Sequence, residues 1–156
     1  MIKFAVEFFK HYVLKKIKAY TDLAKVRLTT SVLFSSVAGY VLGAGTEEGT
    51  DFSWTTFMWL VLGGFLVVAS SNGFNQLYEK DTDKLMKRTA DRPLPTGVLS
   101  PTEGMVFSTI AGVVGLLILS WINMKSAIFG AIALVLYAAI YTPLKRVSPV
   151  AVLVGA

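Results

Sequence analysis

Asn75, Glu79 and Asp83 follow one another at four-residue intervals in the run Ser71-Asn-Gly-Phe-Asn-Gln-Leu-Tyr-Glu-Lys-Asp-Thr-Asp83. On a helix this spacing keeps the three side chains within an arc of about 80°. Asn72 falls inside the same arc and Asp81 points away. Two carboxylates and one or two amide oxygens are therefore expected to line a single face. Carboxylates held side by side repel each other, and the repulsion is poorly screened next to an apolar segment. A bound cation relieves it. An all-oxygen set without Cys or His suits Mg²⁺ rather than zinc or copper. Mg²⁺ also prefers one or two carboxylates together with substrate phosphates to an all-protein cage. The chemistry implied is a metal clamp on a diphosphate that stabilises its charge as it leaves.

The bases that follow fit the same chemistry. Arg88 and Arg92 offer planar forks for phosphate oxygens, and Lys84 and Lys145 offer point charges. The blander reading is that these bases only fix topology and the acids balance them. His11, the single histidine, falls on the polar face of the N-terminal segment, where a solvated surface role outweighs a haem-ligand role.

The elements that position these residues are membrane helices. Of 156 residues 54% are hydrophobic and only 16% charged, against about 25% charged in ordinary globular domains. The absence of cysteine excludes a disulfide scaffold, a thiol nucleophile and a Cys-ligated zinc site. Four stretches carry no charge, Leu28–Thr46, Phe52–Tyr78, Gly104–Met124 and Ser126–Leu144, the shortest 19 residues long. About 20 residues cross roughly 30 Å of hydrocarbon, so each is expected to span. They are rich in Gly, Ala and Ser, which let helices approach closely. The fold class is thus an all-α polytopic bundle with four complete spans. A fifth apolar segment begins at Val147 and reaches Ala156. At about 15 Å of helix it falls short of a crossing, so the chain is expected to be one part of a longer protein.

Charge asymmetry sets the orientation. The first connection holds Glu47, Glu48 and Asp51 and no base, whereas the second carries Lys80, Lys84, Lys87, Arg88 and Arg92. Lys25 and Arg27 precede the first span, and Lys145 and Arg146 follow the fourth. By the positive-inside rule the N-terminus and the acidic stripe face the cytosol, with Trp54, Trp59 and Trp121 near the outer interface. Residues 1–22 read as an amphipathic interfacial helix with Ile2, Val6, Phe9, Val13, Ile17 and Tyr20 on one face and Lys3, Lys10, Lys16 and Lys18 on the other, Phe4 and Leu14 being exceptions. Residues 23–156 form the membrane domain. The net charge of +5 is laid out for a lipid bilayer, and no nucleic-acid partner is expected. Ser100-Pro-Thr-Glu103 has the marks of a capping box, which starts the third span near Pro101.

The stripe Asn75-x-x-x-Glu79-x-x-x-Asp83 resembles the first metal-binding motif of the UbiA-type intramembrane prenyltransferases, which usually reads Asn-Asp-x-x-Asp-x-x-x-Asp. Gln76 and Glu79 depart from that pattern at its second and fifth positions. Asn75 to Thr89 followed by Arg92-Pro-Leu-Pro-Thr-Gly97 is similar to the haem O synthase branch. So is Tyr141-Thr-Pro-Leu-Lys-Arg146. Leu23-Ala-Lys-Val-Arg27 is similar to the family's Leu-Thr-Lys-Pro-Arg, with Val26 in place of proline.

The resemblance implies a helical bundle around a central cavity with two acidic motifs, the second lying beyond Ala156. It implies Mg²⁺ as cofactor, farnesyl diphosphate as donor and haem b as acceptor, in the cell's inner (plasma) membrane. Asn75, Glu79 and Asp83 become first-site metal ligands. Lys25, Lys84, Arg88 and Arg92 become diphosphate partners, and Tyr141 and Lys145 catalytic residues, Tyr141 near the breaking C–O bond and Lys145 toward the diphosphate. On that scheme these 156 residues alone are expected to be inactive. Three other readings stay open: a quinone precursor or chlorin as acceptor, a transporter with an acidic cation site, and a non-catalytic assembly subunit.

Overall fold

The computed structural model describes residues 2–45 and 51–144, and the regular elements among them are all helical. They are α1 (Ile2–Ala24), α2 (Val26–Gly43), α3 (Trp54–Asp83), α4 (Pro101–Ile122) and α5 (Met124–Val135). A π-helical segment, Leu136–Tyr141, prolongs α5 and passes into the short helix Thr142–Leu144. Four helices are long and apolar enough to cross a membrane: α2, α3, α4, and α5 with its extension to Leu144. Lys145, the segment Val147–Ala156 and the acid pair Glu47 and Glu48 lie outside the described residues.

α3 is the centre of the bundle, and its main partner is α4. Gly104, Ser108, Ala111, Gly112, Gly115 and Leu119 are the buried positions of α4, one helical stripe in which all but Leu119 are small. At Gly115 the backbones come so close that an added Cβ would stand 2.9 Å from the Gly63 carbonyl oxygen and the Val67 nitrogen. Ser70 Oγ donates to the Ser108 carbonyl across the same seam at 2.6 Å. Lipid removes the hydrophobic drive between spans, so close packing and interhelical hydrogen bonds hold this pair. Phe34, Leu42, Leu117 and Phe129 point outward and exposed, which suits a hydrocarbon surround.

One end of the bundle is aromatic. Trp59 and Trp121 stand 6.0 Å apart, and Phe52 meets Trp54 edge-on at 5.0 Å. The three tryptophans expected at one interface thus come from neighbouring helix ends.

The other end is built by polar clasps. α1 runs to Ala24, two residues beyond the expected boundary, and stops where Lys25 adopts the left-handed conformation at φ 48°. The last carbonyls of a helix lack intrahelical donors; here α3 supplies them. Gln76 Nε2 donates to the Leu23 oxygen at 2.9 Å and to that of Asp22 at 3.3 Å. Asn72 Nδ2 donates to the Ala24 oxygen at 3.1 Å. Asn72, expected as another amide on the acidic stripe, is therefore committed to the α1–α2 corner instead. The lysine-bearing face of α1 is not wholly solvated either, because Lys16 pairs with Glu103 at the start of α4.

Residues 84–100 wind back in successive turns, with the Thr89 N–H donating to the Met86 oxygen at 3.0 Å and the Arg92 N–H to that of Thr89 at 3.1 Å. Leu94 and Leu99 pin this loop beneath α1 by packing on Ala19 and Leu23. Gly97 turns the chain at φ 74°, a region glycine enters without a Cβ clash. α4 then starts on the expected capping box. Ser100 Oγ accepts from the Glu103 N–H at 3.1 Å, and the Glu103 carboxylate accepts from the Ser100 N–H at 2.8 Å.

The π segment has a local cause in Pro143. Proline lacks the N–H that would bond four residues back, and its ring crowds that carbonyl. The chain widens to a five-residue ring, with the Thr142 N–H donating to the Tyr137 oxygen.

Candidate active site

The last turns of α3 bring Asn75, Glu79 and Asp83 to the clasped end of the bundle. Asn75 and Asp83 are buried, and the Glu79 side chain is only 13% exposed. Asp81, two residues from Asp83, is 85% exposed, as the helical-arc argument requires. Arg92 reaches back from the loop. Its Nη1 lies 2.6 Å from Asp83 Oδ2 and 3.7 Å from Glu79 Oε2. Asn75 Nδ2 donates to Glu79 Oε2 at 2.9 Å, and Asn75 Oδ1 accepts from Thr142 Oγ1 at 3.0 Å.

The two carboxylates already face a common cationic point, the Arg92 guanidinium. Carboxylate oxygens are the kind of donor a hard divalent cation takes. Among the described residues no three His, Cys, Asp or Glu side chains gather to hold a metal. The chain thus offers two carboxylates and an amide, a set that leaves an ion coordination to fill with phosphate oxygens.

The other sequence-derived candidates are placed unevenly. Lys84 is half-exposed and stands 3.9 Å from Asp81 Oδ1, on the solvent side and not over the stripe. Arg88 is exposed in the loop. Lys25 is partly buried at the α1–α2 corner, where its backbone is left-handed. Tyr141 ends the π segment and stacks on Tyr137 at 5.3 Å and 25°. Arg92, read as a diphosphate partner, is in this structure the counter-cation of Glu79 and Asp83.

Beside the stripe opens a cleft of about 570 Å³ between α2, α3 and the α5 extension, walled by Leu28, Val32, Val67, Val68, Tyr137 and Tyr141. Its volume falls in the usual range of small-molecule sites, about 300–1,000 Å³. The walls are apolar, and Ser71 and Asn72 lie at its margin. Tyr137 and Thr142 were not singled out in the sequence. Pro143, a proline inside an apolar span, is the one feature of the sequence that could have marked them.

A protein-family model described as the UbiA prenyltransferase family matches residues 32–156. The chain belongs to that family. Among similar proteins, this UbiA-family chain is 43% identical to a protoheme IX farnesyltransferase of Flavobacterium johnsoniae over 88% of its own length and 45% of the relative's. It is 47% identical to the protoheme IX farnesyltransferase of Christiangramia forsetii, covering 88% of this chain and 44% of that one. A mitochondrial protoheme IX farnesyltransferase of Arabidopsis thaliana is 39% identical over 89% of this chain and 32% of the relative. The UbiA-family chain therefore spans about 45% of the length of its bacterial relatives. No solved structure matches it. Family membership, with four helices fit to cross a bilayer, makes it a multi-pass membrane protein.

Proposed function

We propose that the protein is part of an enzyme that transfers a farnesyl group from farnesyl diphosphate to a vinyl group of haem b, making haem O. The observation that carries this reading is the convergence of Glu79 and Asp83 on one cationic point, Arg92 Nη1, beside an apolar cleft. The relatives' names support the donor and acceptor. Asn75, Glu79 and Asp83 would hold Mg²⁺, whose chemistry is to neutralise a diphosphate as it departs.

The chain's own residues divide the remaining work. Arg92 is within reach of both carboxylates and is a fork suited to phosphate, so it passes from the acids to the diphosphate as the site loads. Lys25, Lys84 and Arg88 add positive charge on the same side of the bundle, and Lys145 is assigned there from its motif. The cleft walls of Leu28, Val32, Val67 and Val68 take the isoprenoid chain and exclude water from it. Tyr137 and Tyr141 border the reacting end with aromatic faces, which attract a developing carbocation.

In the reaction the allylic C–O bond breaks and diphosphate leaves with the electron pair. The farnesyl carbon bonds to the terminal vinyl carbon, and the cation left on the inner vinyl carbon takes water and loses a proton. The basic end of the bundle lies on the cytosolic side of the plasma membrane under the positive-inside rule.

The test is direct. Full-length protein in detergent is given haem b, farnesyl diphosphate and Mg²⁺, and the product is read by mass spectrometry. Haem O formed in the presence of Mg²⁺ and abolished by chelation supports the reading. Prenylation of a quinone precursor or chlorin, with haem b untouched, replaces the acceptor. Uptake of a cation without any prenyl transfer replaces the class with a transporter.

A further inference from the structure

Thr142 is fully buried and follows the π segment directly, and nothing in the proposed reaction uses it. Its Oγ1 is 3.0 Å from Asn75 Oδ1 and 2.7 Å from the Tyr137 carbonyl oxygen. A hydroxyl carries one hydrogen, so it donates to one of these acceptors at a time and can accept a bond from a third group.

Asn75 faces two ways. Its Nδ2 is 2.9 Å from Glu79 Oε2, so the amide turns its N–H to the carboxylate and its oxygen to Thr142. The assignment follows from charge, because an amide oxygen at that distance from an ionised carboxylate would repel it. An N–H group does not ligate a hard cation; an amide oxygen does. For Asn75 and Glu79 to share an ion, the amide must therefore rotate by half a turn, which places Nδ2 against Thr142 Oγ1.

We infer that Thr142 is a positioning residue that lets Asn75 hold either of two amide orientations, one bracing Glu79 and one ligating a divalent cation. In the first, the hydroxyl donates to Asn75 Oδ1. In the second, it swings its hydrogen to the Tyr137 carbonyl and accepts from Asn75 Nδ2, freeing Oδ1 to face the ion beside Glu79. The π segment matters because it brings the Tyr137 carbonyl within bonding distance of that hydroxyl. Without the hydroxyl, the rotated Nδ2 would lose this acceptor in a buried place, which is costly. This inference rests on the metal reading of the acidic stripe.

The test measures Mn²⁺ affinity of the full-length protein in the presence of inorganic diphosphate, read as free Mn²⁺ by electron paramagnetic resonance. Thr142→Val keeps the shape and removes the hydroxyl, and it is expected to weaken binding about tenfold or more. Thr142→Ser restores the hydroxyl and is expected to restore the affinity. In an Asn75→Asp background, Thr142→Val should lose its effect, since a carboxylate presents oxygen in both orientations. Equal Mn²⁺ affinity for wild type and Thr142→Val overturns the inference and leaves the metal site standing. No Mn²⁺ binding by wild type overturns both. A second measurement needs no variant: the Asn75 side-chain amide, isotopically labelled, should shift its N–H resonances when Mg²⁺ and diphosphate are added. Unchanged resonances with metal demonstrably bound also overturn it.

Discussion

Arg92 Nη1 lies 2.6 Å from Asp83 Oδ2, so a cation contributed by the loop sits against the last acid of α3. Leu94 and Leu99 hold that loop in place by burying themselves under α1. On the proposed reading, Arg92 thereby stands at the point where a metal ion would meet the two carboxylates. Removing it should have opposite effects on metal and on diphosphate. Arg92→Ala is expected to tighten Mn²⁺ binding in the absence of diphosphate, because the carboxylates lose their counter-charge. The same variant should raise KM for farnesyl diphosphate tenfold or more, about 1.4 kcal/mol. Movement of both constants in one direction would contradict the exchange.

Metal and diphosphate should bind cooperatively. Two carboxylates and an amide leave Mg²⁺ short of ligands, and diphosphate alone brings excess negative charge to an acidic stripe. Calorimetry on the full-length protein is expected to show at least tenfold tighter Mg²⁺ binding with farnesyl diphosphate, about 1.4 kcal/mol of coupling. Equal affinities with and without the diphosphate would refute a shared site.

Asp83→Asn should abolish transfer while leaving insertion intact, since it removes an anionic ligand at almost constant volume. Asp81→Asn, on the exposed side of the same helix turn, should retain most activity. The comparison counts only if both variants are recovered at similar yield and as single species. Equal losses would mean that the helical face does not decide function.

The α3–α4 seam predicts an asymmetric tolerance among glycines. Gly115→Val must push aside backbone atoms of Gly63 and Val67 only 2.9 Å from the new Cβ. Overpacking of this kind costs about 1–3 kcal/mol, and the variant should melt earlier in detergent. Gly39→Val meets nothing within 4 Å of its Cβ and should melt like wild type. Equal melting of the two variants would remove the close-approach argument.

The pairing of Lys16 with Glu103 docks α1 on the start of α4. The hydrogen bond to the Glu103 carboxylate holds the Lys16 ammonium above its ordinary value of 10.5. A raised base contributes fully below its unfolded-state value and is lost as pH rises through the folded one. On the lysine side, then, the contact is complete at pH 7 and fails only above 10.5. Lys16→Met should speed amide exchange in α1 at pH 7 and leave exchange in α3 unchanged. No change in α1 would mean that its apolar contacts with the loop suffice.

The sequence by itself determined the spans, the acidic stripe and the start of α4. Each is a short-range property: a run without charge, a four-residue interval, a cap three residues from its partner. Such patterns depend on helix geometry alone, so Asp83 turned inward and Asp81 outward as the period demands. Which side chain meets which across helices was decided only by the tertiary structure. Asn72 shares the arc of Asn75 yet spends its amide on the Ala24 carbonyl, because α1 ends there and that carbonyl lacks an N–H partner within the helix. Arg92 and Arg88 look equivalent in the chain, but Arg92 reaches the stripe while Arg88 stays exposed, since the burial of Leu94 and Leu99 sets the path of the loop. Thr142 carried no signal of its own. Its place against Asn75, 67 residues earlier in the chain, follows from packing the widened end of α5 onto α3, and no local pattern encodes that contact.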